Sequence, residues 1–108
     1  MRGEIINMSL YAVYFDAILR GAKTTEYRDF SDYWIGKLVD KAFYNGMTAG
    51  EIKDALTSGR MPLKYNNYKY IRFWNKERNM LVEVKDVKVH KGHSMFAIKL
   101  GNIIEKNI

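Results

Sequence analysis

Cysteine is absent from this chain. Disulfides, thiol catalysis and a Cys-rich zinc site are therefore excluded, and nothing points to an oxidising compartment. Proline occurs once, at Pro62, and together with Asn66-Asn67 it marks Arg60 to Asn67 as a loop. Histidine occurs twice, at His90 and His93, in a predicted turn with no carboxylate pair at ligand-like spacing, so no metal site is expected. The start, Met1-Arg2-Gly3-Glu4, leads into no long uncharged apolar run, so neither a signal peptide nor a membrane span is expected. A cytoplasmic protein is the default. Internal repeats, low-complexity segments and linkers are also lacking, and residues 1–108 are expected to form one domain, with no cofactor implied.

What is present favours polyanionic partners. Lys and Arg number 18 against 12 Asp and Glu, giving a formal charge of +6, and 14% of residues are aromatic. An excess of lysine also serves solubility, so position matters more than the sum. A chain of 108 residues can bury about two-thirds of its unfolded surface without a metal or disulfide.

Periodicity predicts an α+β chain. Ile5 to Leu10 reads as a first strand. Tyr11, Phe15, Ile18 and Leu19 then form one apolar stripe of a helix ending at Arg20, with Gly21 as the stop. Thr25 to Asp29 is extended. Ser31-Asp32 starts a second helix carrying Trp34, Ile35, Leu38, Val39, Ala42 and Phe43, which Asn45-Gly46 ends. Thr48-x-x-Glu51 is a capping box opening a third, with Ile52, Ala55 and Leu56 inward and Ser58-Gly59 at its end. Tyr68 to Trp74 alternates as a strand, Lys76 to Asn79 is a hairpin turn, and Met80, Val82 and Val84 continue an inward face. Val87 and Val89 fall out of step, which predicts a β-bulge near Lys85-Asp86. His90 to Ser94 is the last turn. Phe96, Ile98 and Leu100 face inward on the closing strand, with Ile103 and Ile104 over one mouth of the sheet.

Gly21-Ala22-Lys23-Thr24-Thr25-Glu26-Tyr27-Arg28 is the stretch on which a function would be hung. In an extended strand Glu26 and Arg28 project to one side and Thr25 and Tyr27 to the other. Lys23, in the preceding turn, can join them. Two readings stand for these charges: a polar cluster at the mouth of a cleft, or a surface salt bridge worth under about 1 kcal/mol. Tyr70, Arg72 and Trp74 form a second candidate, an aromatic and basic stripe of the kind that stacks bases and holds phosphates. Its plainer reading is core packing beneath the inserted helices.

The pattern G-x-K-x-x-E-x-R, here Gly21, Lys23, Glu26 and Arg28, resembles the signature of the ASCH domain, a branch of the PUA-like β-barrels. The helix before it, the strand pair from Tyr68 to Val89 and the closing Phe96 to Gly101 follow in the order of such a domain. The resemblance implies a PUA-like β-barrel of about five or six strands, with one helix before the motif and two inserted helices. It implies RNA or a modified nucleoside as partner, held by Lys23, Glu26 and Arg28, and with Tyr70, Arg72 and Trp74 as further binding candidates.

The resemblance also raises chemistry. Some similar proteins are amidohydrolases of acetylated cytidine, and ribonuclease activity has been proposed within the family. The candidate catalytic groups are Lys23, Thr24 and Glu26, because only Thr24 and Thr25 place a hydroxyl beside a base. Two departures count against the amidohydrolase: Glu26 stands where those enzymes have a threonine, and Lys88 to Ser94 is too short for their helical glutamate. A protein-interaction domain with a basic face is a third alternative. Oligomeric state stays open.

Overall fold

Isoleucine and methionine alternating with polar residues make Glu4–Ser9 the first strand, β1: Ile6 and Met8 are buried while Asn7 and Ser9 are exposed. In the computed structural model, which describes residues 4–60 and 68–108, the elements that follow are α1 (Ala12–Leu19), β2 (Thr25–Asp29), α2 (Asp32–Leu38), α3 (Lys41–Tyr44) and α4 (Ala49–Thr57). The chain is completed by β3 (Tyr68–Asn75), β4 (Arg78–His90), a 3-10 turn (Lys91–His93) and β5 (Met95–Asn107). From residue 61 to 67 the expected loop lies outside the described residues.

The strands form one curled mixed sheet in the order β1-β3-β4-β5-β2, a half-barrel. β1 runs parallel to β3, and the other neighbours are antiparallel. The five strands and α+β class agree with the sequence. The bulge expected near Lys85-Asp86 belongs to a series: the β4–β5 register shifts between Leu81 and Val82, Val82 and Val84, and Val84 and Asp86. Each shift adds local twist and bend, which curls the sheet. Gly101 sits in this bend, where a Cβ would come within 3.0 Å of Glu83 Cβ.

Inward residues of β1, β3, β4 and β5 and the apolar faces of α1, α2 and α4 share one core, including Phe15, Leu38, Leu56, Ile71, Phe73, Met80, Phe96 and Ile98. At about 25 cal/mol per Å² of apolar surface removed from water, this shared burial is the main stabilising term. α1 ends as its sequence demands. Gly21 takes φ +80, and the amides of Gly21 and Ala22 donate to Ile18 and Ala17, the paired bonds of a Schellman motif.

Four expectations need correction. Among the described residues three helices, not two, separate β2 from β3. Val39 is fully buried but extended, and Asp40 caps a new helix by accepting from Ala42 N. Because the axis breaks there, Ala42 and Phe43 turn outward instead of continuing the stripe. Tyr11 caps α1 from outside the core and is 78% exposed. Lys76-Glu77 alone makes the β3–β4 turn, since Asn75 pairs with Arg78. Finally, β5 continues to Asn107, so Ile103 and Ile104 are strand residues, with Ile103 opposite Val82 of β4, and not a separate cover.

Candidate functional site

The half-barrel leaves a seam between its two edge strands, and the charged motif occupies it. Gly21 turns the chain out of α1, and the amide of Lys23 is fixed by a 3.0 Å bond to Ala17 O. Leu100 N donates to Thr24 O, tying the start of β2 to β5. Within β2 the strand alternation then places Glu26 opposite Ile98 and Arg28 opposite Phe96, on the inner face.

An acid on the apolar side of a sheet needs partners. Glu26 is 6% exposed and has them. Its Oε2 accepts from Arg28 Nε at 3.0 Å and Nη2 at 2.7 Å, and its Oε1 lies 3.3 Å from Lys23 Nζ. Arg28 Nη2 also donates to Ser9 O at 3.2 Å, so the guanidinium straps β2 to the end of β1 across the seam. The Trp34 ring lies 5.0 Å from the guanidinium carbon. Of the five N–H groups of an arginine, three are thereby engaged, and the two on Nη1 have no partner among the described residues. The triad keeps one net positive charge and offers donors.

A concavity of about 430 Å³ opens beside this cluster, lined by Ser9, Leu10, Tyr11, Tyr14, Glu26 and Arg28. A second, about 320 Å³, adjoins it between Tyr14, Lys23, Glu26 and Tyr27. Lys23 Nζ is 5.6 Å from the ring centres of both Tyr14 and Tyr27, in reach of cation–π attraction. Periodicity marks neither Tyr11 nor Tyr14 as a site residue, because it counts Tyr11 into the apolar stripe and leaves Tyr14 just off it. Their signal lies in two tyrosines i, i+3 apart directly after a strand.

Tyr70, Arg72 and Trp74 are on the other face of the sheet, opposite to Ile71 and Phe73, and do not join the cleft. They are not core residues: Trp74 is 38% exposed, and Tyr70 and Arg72 are half-buried. Trp74 Nε1 donates to Asn7 Oδ1. Arg72 is engaged by Asn79 Oδ1 at 2.7 Å and by Glu105 at 3.4 Å. Thr24 is exposed, and Lys23 directs its ammonium to Glu26. His90 and His93 stack with ring centres 4.6 Å apart. Among the described residues no group of three His, Cys, Asp or Glu is gathered as a metal site, and no helix is long and apolar enough to cross a membrane. Compared with protein-family models, curated proteins and solved structures, the chain matches none.

Proposed function

We propose that the chain binds RNA or a modified nucleoside in the seam cleft, as an ASCH-like member of the PUA-like barrels would. The observation that carries this is the Lys23–Glu26–Arg28 cluster on the wall of a tyrosine-lined concavity. Glu26 serves as the internal counter-ion that holds Arg28 in one orientation. The two N–H groups on Nη1, oriented by the fork that Nε and Nη2 make onto Glu26, then meet an acceptor, a phosphate oxygen or a base carbonyl. Tyr11 and Tyr14 supply exposed π-faces for a base. The half-barrel with a helix before the motif supports the family likeness.

Titration of a structured RNA and a single-stranded oligonucleotide across a range of salt concentrations tests this. Affinity is expected to fall with salt, and Arg28→Lys, which keeps the charge but loses the fork, is expected to weaken binding with the fold intact by circular dichroism. Arg28→Ala should also flatten the salt slope, by about 0.7 per lost phosphate contact on a single strand. Absence of binding to either RNA or to N4-acetylcytidine at low salt would sink the proposal. Turnover of N4-acetylcytidine or cleavage of RNA, abolished by Lys23→Ala, would replace a binding module with a hydrolase.

A further inference from the structure

A line of rings leads out of the cleft. Tyr11 and Tyr14 are 6.3 Å apart, and Lys23 stands between Tyr14 and Tyr27 at 5.6 Å from each. Tyr27 then meets His90 at 5.9 Å, edge to face, and His90 meets His93 at 4.6 Å. The line passes from the inner face to the outer face around β2, whose outer edge bears no further strand among the described residues. Tyr11, Tyr14, Tyr27 and His93 are exposed, while His90 is half-buried, with its Nδ1 shielded from solvent and without a hydrogen-bond partner among the described residues, so its ring is placed by its neighbours.

Cross-strand register sets lysines along the same route. Thr25 faces Lys99, and Tyr27 faces Ala97, which faces Lys88. Lys88 and Lys99 are exposed. Against them on this face stand Asp29 and Asp86, the latter 3.6 Å from Lys88 Nζ. Counting Glu26, which Lys23 meets at 3.3 Å, the three lysines are matched by three acids, and Arg28 in the cleft supplies the excess positive charge. Rings without directional polar partners, interleaved with lysines, are the elements of a sequence-tolerant single-strand path: bases stack, and phosphates meet ammonium groups.

We infer that the cleft is the first station of a path for single-stranded nucleic acid, running from Tyr14 past Lys23 and over the β2 edge to Tyr27, His90 and His93. It rests on the seam cleft being a nucleotide site and adds that the ligand is a polymer several nucleotides long. A free nucleoside fills the cleft alone. A strand gains the outer stations.

The test compares a dye-labelled dinucleotide with a decanucleotide, each as RNA and as DNA, by fluorescence anisotropy at fixed low salt. The decamer is expected to bind more tightly, and the decamer-to-dinucleotide affinity ratio should fall about tenfold in Tyr27→Ala and in His93→Ala, since a base–aromatic stack is worth about 1–3 kcal/mol. Tyr27→Phe, which keeps the ring, should restore the ratio. Arg28→Ala should weaken both lengths and leave the ratio in place. Preference for RNA over DNA at both lengths would assign the path to RNA; equal affinity assigns it to single strands of either kind. A ratio near one, or one unmoved by Tyr27→Ala and His93→Ala, overturns the path while leaving the cleft. If Arg28→Ala weakens neither length, the cleft itself falls, and the path with it.

Discussion

Glu26 is the residue on which the site turns. A carboxylate on the inner face of a sheet is tolerable only because Arg28 and Lys23 neutralise it, and removing one member of such a cluster leaves the others uncompensated. Glu26→Gln keeps the shape and loses the charge. It is expected to lower stability by about 1.5–3 kcal/mol, the usual worth of hydrogen bonds to a charged group. Urea unfolding with an unchanged m-value measures it; a midpoint equal to wild type would mean that the cluster is merely decorative. The cluster itself was legible, because strand alternation put Glu26 and Arg28 on one side and the glycine turn brought Lys23 near. Its surroundings were not. The partners of Arg72, Asn79 and Glu105, come from other strands, and no local spacing announces them. Tyr11 was assigned inward because a stripe counted from sequence cannot tell a cap residue from a helical one.

Among the elements, α4 is the most completely specified by its own residues. Thr48 Oγ1 accepts from Glu51 N at 3.2 Å, and Glu51 Oε1 accepts from Thr48 N at 3.0 Å. The backbone and side-chain hydrogen bonds from Thr48 hold the Glu51 carboxyl below its ordinary value. A lowered folded value means that this contribution is present above the usual glutamate range and is lost as pH falls through the lowered one. Acid unfolding of Glu51→Gln should therefore lack that part of the pH dependence, and Thr48→Ala should cost about 1 kcal/mol at neutral pH by thermal or urea melts. Superimposable acid limbs for wild type and Glu51→Gln would refute the link. Caps such as Thr48, Ser31 and Gly21 are readable because each satisfies backbone groups within its own turn. The break between α2 and α3 was hidden for the converse reason. Val39 fits helical spacing, yet in the assembled core it is buried and extended at φ −111 and ψ 139, as a β-bridge residue.

For the whole molecule, the sheet order separates what is local from what is distant. β3, β4 and β5 follow one another as an antiparallel meander, whereas β1 must find β3, and β2 must find β5, across most of the chain. The number of strands could be foreseen from alternation and turns, but not this pairing of the edges, which depends on contacts between remote segments. Closing long loops costs entropy before it returns contacts, so the meander is expected to form the folding nucleus. Stopped-flow chevrons should then show Ile71→Val and Val82→Ala slowing folding, while Ile6→Val and Met8→Ala chiefly hasten unfolding. High φ-values in β1 would reverse the order.

The guanidinium strap from Arg28 to Ser9 joins the two latecomers. On that folding order the proposed cleft is assembled only after the rest of the chain has committed to its native shape, and a partner seated there would act as a bolt on the last door to close. Occupancy should lengthen the lifetime of the native state while scarcely altering how fast it is reached.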